Sequence, residues 1–348
     1  MQLPTARQSA VEQRAINLIK VKIFNIMYFV AIPDDGSSWQ GPLIYSFANE
    51  GTVATDVLVE IHDEGSGGLI ATKRLYGVKS ADIDIAPYLN SQSTQGIVIG
   101  GLCSIRDTKL ARCVSVSING TKSAVRLFVH SSFDISKVKL LSRIDGQLQV
   151  ERGDAVIFSI FAPAQLRVML TEFDPQVHTM QKLEWLGTNS IVDIIVQTSV
   201  LSSQTTSFTL DIYSGSTIFK TLKVMVVEPN IQSRKLFWRN SFGGVEGYTF
   251  PHNIRLASSV VTKSFTTSQA TISKLYEASH RSRLCSAFEE QKELERISEI
   301  MLSNNIYENV DGQLCAVTLD DRRLEYGSHG NLRQVCLTII DEWKGGEV

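Results

Sequence analysis

A tight β-hairpin is the sequence feature that most constrains what this chain can fold into. The stretch CVSVSINGTKSAVRLFVH, residues 113–130, alternates apolar and polar side chains on both sides of Asn119-Gly120. An Asn-Gly pair favours the positive φ angles that a two-residue hairpin turn requires. Period-two alternation buries one face of a strand, so the stretch predicts an antiparallel sheet packed on a core.

Short strands between turn signals continue through the first two thirds of the chain. VLVEIHD, residues 57–63, alternates, and a GSGG turn and LIATKRLYG follow it, which predicts a second hairpin. Later segments of the same type are QLQVERGDAVIFSIFAP, QLRVMLTEFD, NSIVDIIVQTS, TSFTLDIYSGS and TIFKTLKVMVVEP. Short strands at this spacing predict two β-sandwich-like domains.

The C-terminal third changes its pattern and predicts one amphipathic helix. In SAFEEQKELERISEIMLSNN, Ser286 and Glu289 match a capping box, and Leu294, Ile297 and Met301 recur at helical spacing. Before this helix, NIRLASSVVTKSFTTSQATISK predicts extended strands or a long arm. After it, QLCAVTLDD and RQVCLTIIDEW predict two closing strands.

The predicted fold class is therefore mainly β, with two β-sandwich-like domains followed by a small α+β C-terminal unit. The predicted segments are an N-terminal arm at 1–21, a first β-sandwich at 22–135, a second β-rich domain at 136–250 and the α+β unit at 251–348.

The net charge and the cysteine spacing argue against several classes of protein. A net charge of −2 over 348 residues gives no overall attraction to nucleic acid or to an anionic membrane. The five cysteines have no CxxC spacing, which favours buried thiols in a reducing compartment over a disulfide framework or a zinc site. Cys103 and Cys113 could alternatively meet across neighbouring strands. Lys20 and Lys22 interrupt the apolar stretch 16–32, so we expect no signal peptide and no membrane span.

A glycine-rich turn in LFWRNSFGGVEGYTFPHN, residues 236–253, raises the question of a phosphate site. It lacks the Lys-Ser/Thr of a phosphate loop and the G-x-G-x-x-G of a dinucleotide loop. We therefore predict a structural hairpin in which glycines permit positive φ or close backbone approach, and in which the asparagine bonds its own turn. We expect it to pack at a domain or subunit contact. The residues assigned to it are Trp238, Asn240, Gly243, Gly244, Tyr248 and Phe250.

No catalytic or metal-binding constellation emerges from the sequence. The six histidines are isolated, without metal-ligand spacing. Asp82 and Asp84 could form a carboxylate pair, but Ile83 and Ile85 alternate with them, which places the aspartates on the solvated face of a strand. We expect no enzyme, no cofactor and no metal. Trp39, in the polar segment DDGSSWQGP, is the residue expected to be an exposed, ligand-contacting aromatic.

The segment LFWRNSFGGVEGYTFP resembles a signature, Asn-Ser-(aromatic or Leu)-Gly-Gly followed by aromatic-x-Phe, of tail or baseplate structural proteins from phages and prophages of gut Bacteroidales. ADIDIAPYL, LERISEIMLSNNIYE and GQLCAVTLDDRRLEYGSHGNLRQVCLTIIDEW resemble further segments of those proteins in the same order. The resemblance implies a virion or tail-like particle component, made in the host cytoplasm, that acts by assembly. Its implied partners are further copies in a ring-like homo-oligomer and other tail or baseplate proteins.

Two other functions stay open at this point. One is a ligand- or carbohydrate-binding, adhesin-like β protein that contacts a surface glycan through Trp39 or Tyr248. The other is an enzyme whose carboxylates come together from distant loops.

Overall fold

The computed structural model describes residues 27–51, 53–92, 96–98, 103–144, 147–173, 180–266, 271–310, 312–320 and 322–344. The predicted N-terminal arm at 1–21 lies outside these residues. Contacts between Cα atoms group the chain into two compact units. The first unit is Met1–Thr94 with Lys109–Asp134, and the second is Gln95–Thr108 with Ile135–Val348.

The first unit is built from two antiparallel sheets. One sheet contains β1 (Met27–Ala31), β2 (Ile44–Asn49) and β5 (Ser80–Asp84). The other contains β4 (Gly68–Val78), β3 (Thr55–Asp63), β7 (Ala111–Ile118), β8 (Thr121–Lys122) and β9 (Arg126–Val129). Helix α1 (Ala86–Gln92) follows β5.

The two sheets of the first unit face each other across a core, as in a sandwich. The rings of Tyr45 on β2 and Phe128 on β9 meet edge to face with centroids 6.5 Å apart. The predicted Asn-Gly hairpin is confirmed: Ile118 pairs with Thr121, and φ is 48° at Asn119 and 87° at Gly120. The hairpin of β3 and β4 is likewise present where VLVEIHD and LIATKRLYG predicted it.

The second unit contains a second sandwich. Its four-stranded sheet contains β10 (Lys139–Leu140), β12 (Ala155–Ala162), β15 (Ser190–Gln197) and β6 (Cys103–Asp107). Its five-stranded sheet contains β11 (Gln147–Glu151), β17 (Thr217–Val227), β16 (Ser207–Ser214), β13 (Leu166–Phe173) and β14 (Met180–Trp185). A 3-10 turn, Thr198–Val200, follows β15. Apolar side chains from both sheets form one buried cluster.

The remaining strands form an eight-stranded sheet. They are β18 (Arg234–Arg239), β19 (Val245–Phe250), β20 (His252–Thr266), β21 (Thr271–Cys285), β22 (Ile306–Val310), β23 (Gln313–Leu319), β24 (Glu325–His329) and β25 (Leu332–Lys344). The order is β19-β18-β22-β23-β25-β21-β20, with β24 also paired to β25. Helix α2 (Gln291–Ser298) and a 3-10 turn, Glu299–Leu302, complete this α+β part.

Two features of the segment boundaries differ from the sequence pattern. Strand β6 lies inside the predicted first domain but pairs antiparallel with β15, so residues 95–108 belong to the second unit. The predicted boundary at 250 falls inside the eight-stranded sheet, because β18 pairs with β22. The fold class itself is as predicted: mainly β, with sandwich-like domains and a small helical element near the C-terminus.

The amphipathic helix is present, but its predicted capping box is wrong. Leu294 and Ile297 are buried as expected. The N-cap, however, is Glu290, which makes no side-chain cap hydrogen bond. Ser286 is held elsewhere, because its Oγ accepts a hydrogen bond from the backbone N–H of Val335.

One disulfide departs from the expectation of thiols alone. Cys285 on β21 and Cys336 on β25 are bonded and lie opposite each other in the antiparallel register. The two residues are 51 apart in sequence, so only the strand pairing brings them together. Cys103, Cys113 and Cys315 are free thiols. No disulfide therefore joins Cys103 to Cys113.

Among the described residues, no helix has the length and apolar character needed to cross a membrane.

Candidate functional site

The glycine-rich turn joins β18 to β19 and is held by one asparagine side chain. Asn240 Oδ1 accepts hydrogen bonds from the N–H groups of Phe242 at 3.0 Å and Gly244 at 2.9 Å. The backbone closes the turn as well, because Asn240 N donates to Gly244 O at 2.8 Å. Asn240 is buried, and its side-chain bonds replace those that water would supply.

The glycines of this turn are required by geometry. Gly243 has a φ of 82°, which L-amino acids other than glycine rarely adopt. A Cβ on Gly244 would lie 2.6 Å from the backbone carbonyl carbon of Leu141, a distance that cannot be tolerated without moving backbone. The turn is therefore a point of close approach between two chain segments.

A buried ion pair fixes the start of the turn. The guanidinium of Arg239 donates to Asp193 Oδ2 at 2.8 Å and to Gly243 O at 2.8 Å. Ser159 Oγ donates to Asp193 Oδ1 at 2.5 Å and accepts from Val245 N at 2.8 Å. Since these partners come from β12, β15 and β19, the network ties the second sandwich to the eight-stranded sheet.

Glu246, the second residue of β19, belongs to a second buried ion pair. Glu246 is fully buried, and its Oε1 accepts from Asn240 Nδ2 at 2.7 Å and from Arg143 N at 2.5 Å. Its Oε2 accepts from Arg296 Nη1 at 3.0 Å. Burial opposes the charge on Arg296, but the carboxylates of Glu293 and Glu246 more than offset it, so the pKa of Arg296 is raised.

The two ion pairs specify how the elements dock. A buried charge left without its partner costs several kcal/mol, so slippage of β18–β19 against β12 or α2 is strongly disfavoured. Sequence reasoning missed Arg239, Glu246 and Arg296. The sequence carries a signal for Glu246 alone, because a charged residue between Val245 and Gly247 in a strand is either paired or exposed, but it does not identify the partner.

The predicted aromatic residues of the segment line the core. Trp238 and Phe250 are fully buried in the cluster that also contains Leu294 and Ile297 of α2. Tyr248 stacks edge to face on Phe250, with ring centroids 4.9 Å apart. The Tyr248 hydroxyl donates to Glu289 Oε1 at 2.7 Å. Burial is the main cause that raises the pKa of Tyr248, and the charge of Glu289 raises it further, so the phenol stays neutral.

Trp39 is not the exposed aromatic that the sequence predicted. Its side chain is only 1% exposed, and its backbone N–H donates to Val129 O. Its ring packs against that of His130, with centroids 6.3 Å apart. The polar residues around Trp39 form a loop. An isolated β-bridge between Ser38 and Val129 fixes this loop so that the indole points into the core of the first unit. A glycan platform at Trp39 is therefore ruled out.

A cavity of about 910 Å³ lies in the second unit, beside the β18–β19 hairpin. One part of its lining is apolar and includes Val150, Ile157 and Met225. Another part carries charge and includes Lys235 and Arg296. In the described part of the chain, no three His, Cys, Asp or Glu side chains are grouped to hold a metal ion.

A long hairpin supplies a second candidate surface. β20 and β21 have 15 residues each and pair from end to end, with register shifts between Arg255 and Ala257 and between Val261 and Thr262. Among the described residues, β21 pairs with β25 only over 277–285, and nothing pairs with the outer edge of β20. Residues 254–258 of β20 are exposed on both faces, and these include Ile254 and Leu256, 54% and 53% exposed.

Comparison with models of protein families finds no match, and comparison with curated proteins finds none either. Among solved structures, the crystal structure of CBD12 from CALX1.2 is similar, with 12% sequence identity and a TM-score of 0.18. The match covers 54% of this chain and 79% of that chain. A TM-score of this size carries no argument about fold or function, so both rest on the chain's own residues.

Proposed function

We propose that this chain is a structural component of a phage tail, baseplate or tail-like particle that acts by homo-oligomeric assembly. Its partners are further copies of itself and other tail or baseplate proteins, and it needs no catalytic residue. The resemblance of LFWRNSFGGVEGYTFP to tail proteins supports the particle class.

The observation that carries the proposal is the outer edge of β20, with which no described strand pairs. A long edge strand presents unpaired N–H and C=O groups that another chain can extend, and natural proteins shorten, charge or cover such edges. β20 is 15 residues long, and five consecutive residues have both faces of the strand exposed. A strand in this position is stable within an assembly that covers it.

The proposed occupant of this edge is a second copy of the chain. Backbone ladders are chemically the same along every strand, so one copy can pair with another without a dedicated binding pocket. The hairpin continues past the last described pairing of β21 with β25 by six residues of β21, which is about 20 Å of strand. A reaching arm of this kind favours a head-to-tail contact, and repetition of that contact around an axis closes a ring.

The test is the molar mass of the full chain and of edge variants, measured by light scattering over a range of concentrations. The wild type is expected at a fixed multiple of 38.6 kDa. Replacing residues 261–277 by Asn-Gly joins Val260 to Ala278, which already face each other, through a tight turn. This shortened variant and the double variant Ile254→Lys/Leu256→Lys should each have the molar mass of the monomer.

Ile231→Lys is the matched control. Ile231 is fully exposed and lies in the turn between β17 and β18, outside every strand, so the new charge should leave the mass unchanged. A wild type that stays monomeric at every concentration would overturn the proposal, as would a shortened variant with the wild-type mass. The particle class is tested separately by the neighbouring genes, which should encode tape-measure, tail-tube or portal proteins. A neighbourhood without particle genes would contradict it.

A further inference from the structure

We propose that the cavity beside the β18–β19 hairpin binds a small molecule through its carboxylate or phosphate group, which pairs with the ammonium group of Lys235. The ligand has an anionic head and an apolar body. This site does not depend on the proposed assembly.

Lys235 is a buried cation that makes no hydrogen bond or ion pair with another described residue. It lies on β18, is 9% exposed and lines the cavity. Its Nζ lies over the face of the Phe237 ring, 5.6 Å from the centroid. A buried ammonium carries three donors and is normally paired, so this group has unused capacity to bind an anion.

The backbone is shaped to admit this side chain. Gly247 lies on β19, and a Cβ there would meet the Phe237 ring at 2.7 Å and Cε of Lys235 at 3.4 Å. The absence of a side chain at Gly247 leaves room for both the ring and the lysine stem. The stem is thereby held against the sheet, with its ammonium group at the cavity.

The other charged side chains that line the cavity, apart from the exposed Glu290, are already engaged. Arg296 binds Glu246 and Glu293, and Arg143 pairs with Glu299 at 2.8 Å. Glu289 accepts from the Tyr248 hydroxyl. Glu151 accepts from Ser233 Oγ at 2.6 Å. Lys235 is therefore the natural point of attachment for an anionic ligand.

The apolar residues that line the cavity favour a ligand with an apolar part. A cavity of about 910 Å³ is within the range of small-molecule sites, which combine an apolar wall with few polar anchors. The apolar residues of the wall are Ile144, Leu148, Val150, Val156, Ile157, Met225, Val227 and Phe237. A single anionic group on an aromatic or aliphatic body would contact both this apolar wall and the buried cation.

Binding should depend on pH in a defined direction. Burial is the main cause that lowers the pKa of Lys235 to about 8, with Arg296 acting in the same direction. The groups that act against this are Asp154, Glu151 and Glu293, whose charges favour the ammonium form. Since an anion pairs with the protonated amine, affinity should be highest below pH 8 and should fall as the pH rises above it.

The experiment is calorimetric titration of the full chain with benzoate, phenylphosphonate and benzamide at pH 7 and pH 9.5. Benzoate or phenylphosphonate should saturate one site, and the tighter of the two identifies a carboxylate or a phosphate head. Neutral benzamide should bind at least about ten-fold more weakly, as expected for loss of a charge-assisted bond. Lys235→Met should bind the preferred anion more weakly by the same factor. Lys73→Met, which replaces an exposed lysine of β4, should leave the affinity unchanged.

A second readout uses the wild type alone. The NMR titration of the lysine side-chain carbons should contain one midpoint near pH 8, and the bound probe should move this midpoint upward. Absence of saturable binding for both anions would overturn the proposal. Equal affinity of wild type and Lys235→Met, or binding that leaves the lysine midpoint unchanged, would do the same.

Discussion

At the scale of single residues, the β18–β19 turn depends on the absence of a side chain at Gly244. The backbone of Leu141 occupies the space that a Cβ at Gly244 would need. The sequence indicated that the paired glycines serve backbone geometry, because neither phosphate-loop pattern was present. It did not indicate which segment approaches them, since Leu141 is about a hundred residues away in the chain.

Gly244→Ala tests this close approach. A new methyl group against backbone at 2.6 Å forces a main-chain shift, and we expect a loss of about 2–3 kcal/mol in the free energy of unfolding. Gly327→Ala is the control, because its Cβ would meet only the Gln334 side chain at 3.7 Å, an ordinary contact. Urea unfolding measures both. Equal stability of the two variants would show that the turn tolerates a side chain.

Lys235 gives a stability prediction with a definite sign. The pKa of the folded state, about 8, lies below the ordinary 10.5, so below pH 8 the folded protein carries the cost of a buried charge. Lys235→Met should therefore be more stable than wild type at pH 7, by on the order of 3 kcal/mol. Between about pH 8 and 10.5 the Lys235 amine is neutral in the folded wild type but still protonated in the unfolded chain. The stability difference between Lys235→Met and wild type should therefore shrink over this range. Urea unfolding of both proteins at pH 7 and pH 10 measures it, and a gap that stays constant would contradict the assignment.

At the scale of elements, the sequence was most informative where local pattern decides structure. The Asn119-Gly120 hairpin and the amphipathic helix followed from alternation, turn chemistry and helical spacing. The capping box failed because Ser286 is claimed by Val335, a partner in another strand. The arginine–carboxylate pairs also escaped sequence reasoning, because their partners come from elements distant in the chain.

The disulfide between β21 and β25 is an element-scale prediction of the structure. After unfolding without reductant, the protein should expose three reactive thiols, and after reduction five. Reduction should lower the free energy of unfolding by about 2–4 kcal/mol, because it releases a loop of 51 residues in the unfolded chain. Thiol titration and thermal unfolding with and without reductant measure these effects. Five thiols without reductant would show that the bond does not form.

At the scale of the whole molecule, the mainly β class followed from the sequence, whereas the grouping of its strands did not. Strand β6 joins β15 although it precedes β7 in the chain, and the sheet continues across the predicted boundary at 250. Strand pairing over long sequence separations leaves no local signal, so only the topology reveals these groupings. That β20 lies at the edge of the sheet among the described strands is likewise a property of the sheet order.

The central claim is that this edge is covered by another copy of the chain. An electron cryomicroscopy reconstruction of the full chain, at a concentration where light scattering reports a single oligomer, tests it most directly. The account predicts closed particles in which a strand of one copy lies hydrogen-bonded along β20 of its neighbour. Particles in which β20 faces solvent in every copy would contradict it, as would a sample that contains monomers alone.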